Sequence, residues 1–118
     1  MNAPAQLDAV FSALADPTRR AILARLAEGE ATVAELAAPF DLAQPTVSKH
    51  LRVLEEAGLI DQVRVAQSRP RRLVVGGPLK DVEEWLRPFR AQWERRFDRL
   101  EQHLTKPTQG NVEKRRKR

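Results

Sequence analysis

Leu7, Val10, Phe11 and Leu14 recur at intervals of three and four residues, the spacing that lines one side of an α-helix, and predict a first helix over 6–14. Asp16-Pro17 then supplies a side-chain cap followed by a proline whose missing N–H costs nothing in a first helical turn. A second helix starts there, with Ile22, Leu23 and Leu26 as its apolar face and Glu28-Gly29-Glu30 at its end. Thr32-Val33-Ala34-Glu35 has the form of a capping box and opens a short third helix, which Pro39 prevents from continuing past Ala38. After a turn through 39–42, a fourth helix begins near Gln44-Pro45, runs to Ala57 and stops at Gly58.

From Leu59 the period changes. Residues 60–65 and 71–75 are short and rich in β-branched side chains, and they predict a β-hairpin with Gln67-Ser68-Arg69-Pro70 between its strands. Beyond Gly76-Gly77-Pro78, apolar groups at 82, 86, 89, 93, 97, 100 and 104 form one long helical stripe over 79–104. Pro88 interrupts it, which predicts a kink or two helices meeting at Arg87-Pro88. The tail 108–118 has one apolar residue, Val112, and is expected to be disordered because it cannot offset the entropy of ordering.

The predicted fold is therefore mainly α with a small β-hairpin, in the order α-α-α-α-β-β-α. Short helix, tight turn, second helix and hairpin form the layout of a winged helix-turn-helix. The expected domain spans 1–107, with the helix-turn-helix at 33–57, the wing at 60–75 and the last helix at 79–104.

Length and composition narrow the function. A chain of 118 residues has room for one modest core and none for a second, catalytic domain. No apolar run approaches the roughly 20 residues needed to cross a bilayer, and the start has no signal-peptide character, so a cytoplasmic location with no membrane partner is expected. With no cysteine, thiolate metal sites and thiol redox sensing are excluded. The net charge of +5 is mostly tail, since residues 113–118 carry five positive charges against one negative. Locally, however, residues 45–72 hold six Lys or Arg against three acids, an excess that points to nucleic acid.

On the fourth helix, Val47, Leu51 and Leu54 project to one side, which must face the core, while Pro45, Lys49, Arg52 and Glu56 project to the other with Thr46 and Ser48 flanking them. A helix that reads the major groove needs small polar groups near its N-terminus and long cations that reach guanine edges or phosphates. Gln44, Thr46, Ser48, Lys49 and Arg52 meet that need; an ordinary solvated helix face is the bland alternative. Arg64, Arg69, Arg71 and Arg72 in the hairpin suit phosphates or a narrow minor groove beside that helix. His50 lies at the edge of the core-facing side and reads as a partly buried structural histidine or a donor to a backbone phosphate.

Two histidines far apart in sequence offer little for a metal site, so no metal and no cofactor are expected. Ser48 and Lys49 point about 100° apart on one helix and cannot form a nucleophile-base pair, so no catalytic residue is expected. Trp85, Phe89, Trp93 and Phe97, each four residues apart, make a stripe too apolar for a small domain to leave bare. Pairing across a two-fold axis with the first helix would cover it, with Leu7, Val10, Phe11 and Leu100 at the same interface. A pocket for an apolar effector along that ladder is the sharper alternative.

The stretches Asp16-Pro17-Thr18-Arg19-Arg20-Ala21-Ile22-Leu23, Val33-Ala34-Glu35-Leu36-Ala37 and Thr46-Val47-Ser48-Lys49-His50-Leu51-Arg52-Val53-Leu54-Glu55-Glu56-Ala57-Gly58-Leu59-Ile60 closely resemble the ArsR/SmtB winged-helix repressors. The resemblance covers about residues 6–104. It implies a homodimer held by its first and last helices, a double-stranded DNA partner with an inverted-repeat operator, and repression relieved by a signal. Metal-sensing relatives often carry a Cys-x-Cys pair where this chain has Thr32 and Ala34, and others use paired Asp and His ligands that the last helix lacks. The chain looks most like cysteine-free members, some of which are encoded beside small-molecule-binding helix-grip proteins. A non-specific architectural DNA binder and a winged-helix protein-interaction module are the alternative functions.

Overall fold

In the computed structural model, which describes residues 3–65 and 67–105, five α-helices and one hairpin follow one another. They are α1 (Ala3–Ala13), α2 (Pro17–Leu26), α3 (Val33–Ala37), α4 (Gln44–Glu56), β1 (Ile60–Gln62), β2 (Arg71–Leu73) and α5 (Pro78–Thr105). The chain forms two compact units that divide between Glu83 and Glu84, inside α5.

In the first unit, local chemistry sets each boundary. The Asp16 side chain accepts from the Arg19 N–H at 3.0 Å and caps α2, whose first residue is Pro17. Thr32 and Glu35 complete the reciprocal capping box of α3, with Thr32 N–H donating to Glu35 Oε1 at 2.8 Å and Glu35 N–H donating to Thr32 Oγ1 at 3.2 Å. Pro39 does not end the chain's helical course at once, because it sits in the first turn of a 3-10 segment, Ala38–Phe40, where its absent N–H is not needed. Asp41 then takes the left-handed conformation (φ 55°), which turns the chain into α4. At the far end of α4, Gly58 has φ +79°, and a Cβ there would stand 3.1 Å from Pro78 Cγ, so both backbone and space call for glycine.

The core of this unit is the meeting point of four helices and the wing. Val10 and Ala13 of α1, Ile22, Leu23 and Leu26 of α2, Leu36 and Ala37 of α3, and Val47, Leu51 and Leu54 of α4 are all buried, together with Ala31, Ala57, Leu59 and Ile60. The α4 stripe is the one its periodicity predicts. Val10 differs from expectation: its side chain has 0% exposure inside the protomer, so it belongs to the core and not to a surface that another chain can reach.

The hairpin is shorter than its apolar pattern suggests. Ile60 pairs with Leu73, Asp61 with Arg72 and Gln62 with Arg71, and the regular ladder ends there. Val63 N–H still donates to Pro70 O at 2.9 Å, but Pro70 has no N–H to return, so the strands of 60–65 and 71–75 shrink to three residues each. A bridge between Val65 and Ser68 closes the tip. β2 also gains a partner on its other edge: Ala31 and Arg71 exchange both backbone bonds, at 3.1 and 2.7 Å. That pairing ties the wing to the loop between α2 and α3.

In the second unit, α5 continues unbroken through Pro88 as part of one 28-residue helix, in place of two helices meeting at that point. Pro88 removes a single i→i−4 donor, and the Glu84 carbonyl that loses it lies on an exposed turn where water can take its place. Among the described residues no helix is long and apolar enough to cross a membrane. The expected disordered tail, 108–118, lies outside the described residues.

Candidate nucleic-acid interface

With Val47, Leu51 and Leu54 buried beneath it, α4 can present only its opposite side. Gln44, Thr46, Lys49 and Arg52 are exposed there, and Ser48 is half-buried at the edge. The helix has no side-chain cap at Ala43, but Pro45 has no N–H and the Thr46 and Val47 N–H groups both donate to Ala43 O, at 3.0 and 3.2 Å, so what the first turn offers an anion is chiefly the positive end of the helix dipole. Among the described residues, the cations of Lys49, Arg52, Arg64 and Arg69 have no acidic partner, which leaves their charge for an outside ligand.

The other two wing arginines are engaged within the protein. Arg72 lies opposite Asp61 on the neighbouring strand and makes a two-point contact, both bonds 3.1 Å, which raises its pKa above the usual arginine value. Arg71, expected at a phosphate or a narrow minor groove, is also paired within the protein. Its Nε donates to Glu55 Oε2 at 2.8 Å, the side chain keeps only 13% exposure, and Gln62 Nε2 donates to the same Glu55 oxygen at 3.1 Å. Glu55 of α4 thus clamps both strands of the wing against the helix.

Glu55→Ala is expected to destabilise the protein by about 1–3 kcal/mol, because it leaves a largely buried guanidinium without its counter-charge. The accompanying sign is faster amide exchange at Val63 and Val74, whose N–H groups donate to Pro70 and Leu59. Unchanged exchange at both would contradict the clamp.

His50 faces the α1–α2 corner. Its Nδ1 is 3.4 Å from Arg19 Nη1 and 3.9 Å from Asp16 Oδ2. Arg19 meanwhile donates from Nε to Ala13 O at 2.7 Å and from Nη2 to Ser12 O at 3.2 Å, and Arg20 donates to Leu14 O at 2.9 Å. These carbonyls lie at and just past the C-terminal end of α1, where cations are favoured, and Ser12 O also accepts from the Ala15 N–H at 3.2 Å. The Asp16 carboxyl is held below the usual aspartate range, chiefly by the Arg19 backbone N–H that donates to it. Glu35 is lowered for the same reason by the backbone N–H and then the hydroxyl of Thr32. The periodicity of the chain marks Asp16 only as a cap and gives no sign that Arg19 and His50, 31 residues apart, meet.

On α5, Trp85, Phe89, Trp93, Phe97 and Leu100 all lie in the second unit and are all substantially exposed, with the Trp85 and Phe89 ring centroids 4.9 Å apart. On α1, Phe11 is at the surface and Leu7 is half-buried. Among the described residues no cluster of three or more His, Cys, Asp or Glu is placed to hold a metal ion.

Comparison with known proteins agrees with this geometry. A helix-turn-helix domain model matches residues 14–63. The transcriptional repressor SdpR of Bacillus subtilis is 41% identical over 58 residues, which are 49% of this chain and 64% of that protein. The chain spans about half to two thirds of the length of the first curated relatives it matches. A crystal structure of an ArsR-family transcriptional regulator is 45% identical, with a TM-score of 0.67 over 79% of this chain and 95% of that one. A solution structure of a homodimeric winged helix-turn-helix DNA-binding domain from Mycobacterium bovis is 27% identical, with a TM-score of 0.58 over 75% of this chain and 79% of that one. Fold, helix-turn-helix match and near full-length similarity to a solved member agree, and the chain belongs to the ArsR/SmtB family of winged helix-turn-helix transcription regulators.

Proposed function

We propose that this protein is a cytoplasmic, sequence-specific DNA-binding repressor that acts as a homodimer, with one α4 helix in the major groove of each half of an inverted-repeat operator. The observation that carries this reading is the outer side of α4: Lys49 and Arg52, without acidic partners, project from a helix whose inner side is fixed in the core, and Arg64 and Arg69 of the wing are likewise exposed and without acidic partners. In this reading Gln44, Thr46, Ser48 and Arg52 meet base edges, and the wing and Lys49 grip phosphates. The family name and the repressor relatives support regulation; the homodimeric M. bovis neighbour supports the two-fold assembly.

An electrophoretic shift against the protein's own promoter tests it. Arg52→Ala is expected to cost about 1–3 kcal/mol and to relax preference at one base position. Arg69→Ala is expected to weaken every sequence alike and to reduce the slope of log affinity against log salt by about 1. Equal affinity of the wild-type protein for the promoter and for random duplex would overturn specific recognition and leave a non-specific binder.

A further inference from the structure

We infer that Arg19 fixes the neutral form of His50 as the Nε2–H tautomer, so that in this form α4 carries, beside its cations, a solvent-facing N–H donor for a DNA backbone phosphate. The inference rests on the DNA-binding reading above and adds a contact to it. Two groups lie near Nδ1. Asp16 Oδ2, at 3.9 Å, is beyond hydrogen-bond reach, whereas Arg19 Nη1, at 3.4 Å, is within it, though long. A guanidinium donates and never accepts, because it does not lose its proton in proteins. Nδ1 facing it must therefore present its lone pair, and the ring's single proton goes to Nε2.

Arg19 is itself held in place. Its Nε and Nη2 are taken by Ala13 O and Ser12 O, so its remaining Nη1 is aimed by the corner between α1 and α2. The opposite ring nitrogen has no partner among the described residues, yet no buried polar side-chain atom is left without one. Nε2 must then reach water, in line with the 21% exposure of the side chain. On α4 this places an N–H donor one position after Lys49 and two before Arg52, at the flank of the outer face. Such a flank meets backbone and not base edges, since the centre of the face fills the groove. A neutral donor to a phosphate strengthens binding to all sequences without displacing a counterion, unlike the wing arginines.

Two measurements on the full chain test this. Long-range proton–nitrogen NMR of the ring nitrogens, with His103→Gln removing the other imidazole, is expected to show neutral His50 protonated at Nε2, and Arg19→Met is expected to move the Nδ1 resonance. A ring protonated at Nδ1 overturns the inference. In duplex binding, His50→Gln, whose amide can place an N–H near the Nε2 position, is expected to stay within about threefold of wild type, whereas His50→Asn, which mimics only the nearer nitrogen, loses about tenfold on all sequences with an unchanged salt slope. His50→Asn binding like wild type overturns this contact alone, and a wild-type protein without affinity for any duplex overturns the functional reading as well. The NMR measurement on the otherwise native fold needs no His50 variant, so poor folding of one cannot shield the inference.

Discussion

Leu51→Ala is expected to lower stability by about 2–5 kcal/mol, as removal of a fully buried leucine does when its surroundings relax only in part. Against a typical total of about 5–15 kcal/mol, that is a large share of what keeps a domain folded. Leu51 sits in the middle of α4's inner side, between Val47 and Leu54, in the cluster that also holds Val10, Ile22 and Leu36. The neighbouring Val53→Ala, on the same helix but 37% exposed, is expected to cost well under half as much. Thermal melting checks both: a fall of roughly 10 °C or more for Leu51→Ala, and a far smaller one for Val53→Ala. Leu51→Met, which nearly conserves volume, should cost less than about 1.5 kcal/mol and keep DNA affinity at low temperature. Similar losses at 51 and 53 would mean that α4 is not seated on the side assigned to it.

The role of Leu51 is legible in the sequence itself. Val47, Leu51 and Leu54 lie within one narrow arc of a 3.6-residue helix, and arc and core coincide. The caps at Asp16 and Thr32 were equally legible, since a short polar side chain three residues ahead of an amide or a glutamate has one obvious use. Periodicity is a local property, and these are local interactions.

What the sequence left undecided is non-local. Arg64, Arg69, Arg71 and Arg72 look alike in a charged hairpin, yet Glu55 and Asp61 pair with two of them, Arg71 largely buried and Arg72 at the surface, and leave two without an acidic partner. Charge alternation does not say which carboxylate pairs with which guanidinium, at 2.8 Å for Arg71 and 3.1 Å for Arg72. The same holds for Ala31, an unremarkable residue in a loop that becomes a strand partner of Arg71 across 40 positions. Val10 lies in the core and Phe11 at the surface for a related reason: an apolar stripe on α1 has to serve both, and residue spacing of three and four does not divide one from the other.

The α5 stripe was legible in pattern and carries the second large effect. Trp93→Ala is expected to raise the dimer dissociation constant by about 30-fold or more, because a tryptophan at the centre of an interface commonly contributes at least about 2 kcal/mol. Trp93 is the third of the four aromatics at 85, 89, 93 and 97 and is 48% exposed in the protomer, so about half its surface is available for a second copy to cover. The variant's effect on the melting of the first unit is expected to be small, since that unit ends at Glu83 and, although Val82 packs against its core, none of the four aromatics does. Light scattering over a range of concentrations reads the dissociation directly, and DNA titrations at the same concentrations read its consequence. If one dimer places two α4 helices on the two halves of an operator, affinity for the full palindrome should fall with the loss of dimer, while the weak affinity for a single half-site should stay as it was. A dimer that survives Trp93→Ala unchanged removes the stripe from the interface, and a wild-type protein that scatters as a monomer at all concentrations removes the homodimer itself.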